Sequence, residues 1–152
     1  MDSKIIIGSD HGGFTLKTKI TNHLQANGYE VLDIGTFSEE SCDYPDIAYT
    51  VSEKISSGEF NRGILICKTG IGVSICANKS KGVRAALCTS VNQAKMSRKH
   101  NDSNVLALSA QFCSKENSIQ ICDEWLNTNF EGGRHKKRIN KISEFENRKN
   151  VK

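Results

Sequence analysis

One proline, one tryptophan and two methionines in 152 residues leave little that would kink a helix or stack on a nucleobase. The longest aliphatic run is Ile64-Leu65-Ile66 with its neighbours, far short of the ~20 apolar residues of a membrane-spanning helix. The start, Met1-Asp2-Ser3-Lys4, runs directly into Ile5-Ile6-Ile7 and offers no apolar stretch of secretory length, so the expected compartment is the cytoplasm. There are six cysteines, yet no Cys-x-x-Cys pair and no zinc-finger spacing with histidine. Cys42, Cys67, Cys76, Cys88, Cys113 and Cys122 are therefore expected to be reduced thiols, most of them small hydrophobes of the core. No metal ligand cluster and no cofactor motif stand out. Gly70-Ile71-Gly72 is followed by Ile75 where a dinucleotide-binding loop has its third glycine, and no Gly-Lys-Ser/Thr occurs.

The net charge of +4 is mild and unevenly placed. Arg134, Lys136, Lys137, Arg138, Lys141, Arg148, Lys149 and Lys152 crowd the C-terminal segment. No aromatic residues interleave with them in the manner of a nucleic-acid groove, so no nucleic-acid partner is expected. Arg134 and Arg138 are four apart and share a helix face, and two guanidinium forks on one face suit a phosphate.

Apolar runs alternate with helical periodicity. Strands are expected at 5–8, 31–34, 63–67, 83–88 and 105–108. Helices are expected at 14–27, from Pro45 to Gly58, at 71–79, from Ser90 to about Lys99, at 116–127 and from about Arg134. The fifth helix would turn Ile119, Cys122 and Leu126 inward, and the last one Ile139, Ile142 and Phe145. Residues 147–152 are expected to fray. The pattern predicts a single domain over 1–152: an α/β three-layer Rossmann-like sandwich, its five-stranded sheet parallel, with a C-terminal helical arm. Ligands in such folds bind at the carboxyl ends of the strands.

Two of those ends carry chemistry. The first strand runs into Asp10-His11-Gly12-Gly13. The third runs into Cys67-Lys68-Thr69-Gly70-Ile71-Gly72, where backbone N–H groups can hold an anionic oxygen. These join Asp43-Tyr44-Pro45-Asp46, Ala77-Asn78-Lys79, His100-Asn101-Asp102 and Gly132-Gly133-Arg134-His135 in one order. In that combination the chain, over about residues 4 to 148, resembles the B-type ribose-5-phosphate isomerases, the family shared with galactose-6-phosphate isomerase subunits.

The resemblance implies an aldose–ketose isomerase of the pentose phosphate pathway that interconverts ribose 5-phosphate and ribulose 5-phosphate without metal or cofactor. The proton moves between C2 and C1 through a cis-enediolate. It implies Cys67 as the base, since Val73 stands where some relatives carry a glutamate. It implies His100 as the ring-opening acid/base, with Asp10 and Thr69 assisting the hydroxyl proton transfers. Lys68, Thr69, Gly70, Ile71 and Gly72 would form the anion cradle, and Asn101 would hold a sugar oxygen. His11, Arg134 and Arg138 would clamp the phosphate, with Tyr44 and Gln111 lining the pocket. It further implies a homodimer with shared active sites, sometimes paired into a tetramer.

A free thiol has a pKa of about 8.5 and is only a few per cent thiolate at neutral pH, so a thiol base needs donors beside it. Two departures bear on this. Lys68 replaces a glycine common in the family, which would be strained if that position required positive φ. Gln111 stands where many members have arginine. The alternatives are a galactose-6-phosphate isomerase subunit acting on a six-carbon sugar phosphate, and a non-catalytic sugar-phosphate-binding module. The His100-Asn101 pair with Cys67 argues against the first, and Cys67, His100 and Asp10 together argue against the second.

Overall fold

Ile5, Ile6 and Ile7 are all fully buried, so both faces of their strand are covered, as in a parallel sheet between two helical layers. The computed structural model describes residues 3–149. Among these the strands are β1 (Lys4–Ser9), β2 (Glu30–Asp33), β3 (Gly63–Cys67), β4 (Ala85–Leu87) and β5 (Val105–Ser109). The helices are α1 (Phe14–Ala26), α2 (Tyr44–Ser56), α3 (Ile71–Ala77), α4 (Val91–Asn101), α5 (Lys115–Asn127) and α6 (Arg134–Lys149), with one 3-10 turn at His11–Gly13. The expected α/β sandwich is what forms. Residues 150–152 of the C-terminal tail lie outside the described residues, and 147–149 belong to α6.

The sheet order is β2-β1-β3-β5-β4, and every pair is parallel. The chain leaves β1 toward one side and returns to lay β3 on the other, so the strand order reverses between β1 and β3. The loops leaving these two strands diverge there and open a crevice. On one face Ile5, Ile7, Ile64, Ile66, Leu106 and Leu108 meet α1, α4 and α5 through Leu16, Ile20, Leu24, Ala94, Ile121 and Trp125. On the other, Ile6, Leu65, Val105 and Ala107 meet α2 and α3 through Ala48, Val51, Val73 and Ala77.

Three details depart from the sequence reading. Helix α3 stops at Ala77, because the Asn78 amide bonds both backbone groups of Ala85 (2.8 and 3.0 Å) and turns the chain into β4. Helix α5 buries Ser118, Ile121, Cys122 and Trp125; Ile119 and Leu126 stand at its margins. Trp125 sets that rotation, since its indole N–H donates to Ser103 Oγ at 2.8 Å inside the core. Of the apolar stripe expected on α6, Ile139 is buried, whereas Ile142 is 48% and Phe145 57% exposed.

Candidate active site

The crevice is built from the ends of β1 and β3. Asp10 is buried, and its Oδ1 accepts the N–H of Gly13 at 3.1 Å, capping the 3-10 turn. A side chain at Gly13 would lie 2.7 Å from the carbonyl oxygen of Ile66, so glycine alone lets the two loops approach this closely. The neighbouring His11 ring accepts the N–H of Cys42 at Nδ1 (3.2 Å), a bond that in the neutral ring leaves the proton on Nε2.

Strand β3 delivers Cys67, 4% exposed, at its last position. Its sulfur accepts the N–H of Gly70 at 3.1 Å, a charge-assisted bond whenever the sulfur is anionic. Thr69 Oγ1 accepts the N–H of Ile71 at 3.2 Å, and a side chain at Gly72 would put its Cβ 2.7 Å from the ring of Tyr44. The carbonyl of Cys67 accepts from Ala110 N–H at 3.0 Å. That of Lys68 accepts from Gln111 N–H and Ser109 Oγ, both at 2.9 Å, pinning this loop to the end of β5. Asp10, His11, Gly12, Lys68, Ala110 and Gln111 line an open groove of about 440 Å³.

Among the described residues Asp102 is the one non-glycine residue with positive φ, so Lys68 has an ordinary backbone conformation. The strain anticipated for a lysine there is absent. Lys68→Gly should therefore stabilise nothing. Greater freedom of the unfolded chain should cost about 0.5–1 kcal/mol, read as a small drop in melting temperature.

The remaining expected residues lie at the opposite edge of the sheet. Helix α4 has eleven residues, which carries the chain about 16 Å back from the strand carboxyl ends. It delivers His100 and Asn101 beside the entry to β4, where Arg84 Nε donates to the Asn101 carbonyl at 3.0 Å. The loop before α6 joins the same edge, with Glu131 N–H donating to the Lys99 carbonyl at 3.1 Å. The imidazole of His135 then stacks on that of His100, with centroids 4.3 Å apart. Arg134 and Arg138 are exposed alongside. One chain thus gathers Asp10, His11, Tyr44, Cys67, Lys68, Thr69, Gly70, Ile71, Gly72 and Gln111 at one edge. It gathers His100, Asn101, Arg134 and Arg138 at the other.

Sequence reasoning gave no role to Glu131 or to His135, although the latter stands in the Gly132-Gly133-Arg134-His135 motif. Lys99 pairs with Glu131 Oε1 at 3.2 Å and holds its carboxyl below the usual carboxylate range. Burial, with the nearby charge of His100, lowers the pKa of His135. Their four-residue spacing was legible; the approach of α6 to α4 was not. His100, Glu131 and His135 bring one potential ligand atom each to within 4.8 Å of one another, a grouping the sequence did not disclose. Among the other thiols, burial pushes Cys88 up to about 11 and raises Cys76, Cys113 and Cys122 as well, in keeping with their reading as core residues.

Residues 5–142 match the model of the ribose/galactose isomerase family. The chain is 47% identical over 147 residues to a ribose-5-phosphate isomerase B of Escherichia coli (strain K12), covering 97% of this chain and 99% of that protein. Its structure is similar to that of a ribose-5-phosphate isomerase B of Clostridium thermocellum, with a TM-score of 0.94 and 52% identity over 95% of this chain and 98% of the other. It is similar also to the Mycoplasma genitalium ribose-5-phosphate isomerase B with bound ribulose 5-phosphate. There the TM-score is 0.91 and the identity 45%, over 95% of this chain and 96% of that one.

Proposed function

The chain belongs to the ribose/galactose isomerase family, and from that premise we propose that it interconverts D-ribose 5-phosphate and D-ribulose 5-phosphate with Cys67 as the base. The observation that carries this reading is the Cys67 sulfur at the end of β3, with the Gly70 N–H aimed at it. A thiolate there takes the proton from C2 of the open-chain aldose and returns it to C1. In the intervening cis-enediolate, charge accumulates on the oxygens, and the backbone N–H groups of the 68–72 loop are the donors that stabilise it. Thr69 and Asp10 relay the hydroxyl protons. His100 opens the furanose ring by moving a proton between the anomeric hydroxyl and the ring oxygen. Asn101 holds a sugar hydroxyl, and Tyr44 and Gln111 shape the pocket. His11, Arg134 and Arg138 receive the phosphate.

These roles cannot be filled at one edge of one chain, so the working unit in this reading is a homodimer. The loops after β1 and β3 of one subunit meet α4 and the α6 arm of its partner; a tetramer would be two such dimers. Uncovered apolar side chains support an interface: Ile142 and Phe145 on α6, Ile71 and Ile75 on α3, and Phe112 after β5. Among the described residues no helix is long and apolar enough to cross a membrane. The reading places the enzyme in the cytoplasm, where thiols stay reduced.

The acid–base route uses side chains alone. In a coupled assay on ribose 5-phosphate, turnover should be undiminished by a chelator. Loss of activity in chelator, restored by a divalent ion, would contradict the cofactor-free mechanism.

A further inference from the structure

We propose that His100, Glu131 and His135 form a reversible inhibitory site for zinc. Two independent observations converge. The three side chains place one ligand atom each within 4.8 Å of one another, from α4, α6 and the loop that leads into α6. The Nε2 of His135 is buried and makes no hydrogen bond, standing 3.5 Å from Glu131 Oε2. His135 is only 6% exposed. An unpartnered polar atom in such a place is costly unless something binds it.

The carboxylate is prepared for the task. Lys99 holds Oε1 of Glu131 at 3.2 Å, while Oε2 points at His135 Nε2, 3.5 Å away. That leaves one oxygen oriented by a cation and one available to a metal. Two imidazoles and one carboxylate with a fourth position open to water is a donor set suited to zinc, and less so to magnesium or calcium, which favour oxygen. The rings lie 17° from parallel, so coordination must splay them slightly to bring both nitrogens onto one ion. Lys99, Arg134 and Arg138 oppose a divalent charge. Moderate affinity follows, as suits an inhibitor that comes and goes.

Coordination takes the lone pair of His100. This consequence rests on the reading of His100 as the ring-opening group: with its nitrogen on zinc it can neither accept nor deliver the proton. The open-chain sugar is then not formed from the ring, and isomerisation stops while Cys67 is untouched.

The test uses full-length protein stripped by chelator and then dialysed. Cobalt(II) titrated in should give the strong visible absorption of a low-coordinate site, without the near-ultraviolet charge-transfer band of a thiolate ligand. Zinc should displace the cobalt and inhibit isomerisation. Glu131→Gln and His135→Ala should each weaken zinc binding by about 10-fold or more. Glu131→Gln should keep its metal-free activity and shift inhibition to correspondingly higher zinc. Unchanged affinity in both variants, or a thiolate band, overturns the site. Zinc bound there with full activity retained overturns the inhibition and with it the role of His100. A dead His100→Ala enzyme whose parent binds no zinc overturns the metal site alone.

Discussion

Cys67→Ala is expected to keep less than about one hundredth of wild-type kcat, the loss that follows removal of a general base. Binding of inorganic phosphate should be nearly unchanged. The two readouts separate because the sulfur sits on the Gly70 N–H at the end of β3, while the proposed phosphate ligands are His11, Arg134 and Arg138. Steady-state kinetics with ribose 5-phosphate measures the first, and calorimetric titration with phosphate the second. A melting temperature close to wild type shows that the fold is intact. Retention of a tenth of kcat would remove Cys67 from the base's role. Alkylation is a blunter probe: the partly exposed Cys42 is the more accessible thiol.

Gly70→Ala should be among the most damaging single-methyl additions in the chain. Gly70 has φ of 75°, a left-handed conformation that costs a side-chain-bearing residue about 1–2 kcal/mol. The new Cβ would also lie 2.5 Å from Leu87 Cδ1 and 2.9 Å from the backbone of Leu108. The leucine methyl can swing away, but the β5 backbone cannot without moving the sheet, and such overpacking costs about 1–3 kcal/mol more. Together these predict a loss of about 2–5 kcal/mol and a fall in melting temperature on the order of 10 °C. Activity should fall further than stability, because relief of the clash displaces the N–H that Cys67 accepts. An alanine variant with wild-type melting temperature and kcat would mean that the loop does not depend on this conformation. By contrast, Gly82→Ala meets no atom within 4 Å and should show only the conformational cost of its φ of 76°.

The alternation of apolar runs with helical spacing was enough to place all the strands and helices, because burial on both faces leaves continuous aliphatic runs such as Ile5-Ile6-Ile7. The rotation of α5 was not legible. Ile119, Cys122 and Leu126 make a credible stripe at helical spacing, and so do Ser118, Ile121, Cys122 and Trp125. The choice falls to a bond between Trp125 and Ser103, which is remote in sequence. Nor could the order of strands be read from one chain, and that order matters most for the site. The motifs at Asp10, Cys67, His100 and Arg134 occur in a recognisable sequence. Strand direction puts the first two at the carboxyl edge of the sheet and the last two at the amino edge. The apolar spacing of Ile139, Ile142 and Phe145 was plain, but it suggested a packed helix. In one chain most of that face is uncovered, which is where the proposed dimer would place its partner.

The central claim, that each site is assembled from two chains, is tested most directly by mixing two inactive variants. Cys67→Ala damages the loop half, and Arg134→Ala/Arg138→Ala damages the arm half. The arginine pair should fail mainly through KM, since it removes charge-assisted contacts to the phosphate. Equal amounts are unfolded together and refolded, and mixed dimers are confirmed by native mass spectrometry. About half the dimers should be mixed, and by two-fold symmetry each carries one site with every lesion and one with none. Activity at low substrate should then recover to about one quarter of wild type. A mixture no more active than its parents, despite confirmed mixed dimers, would mean that each site is completed within a single chain.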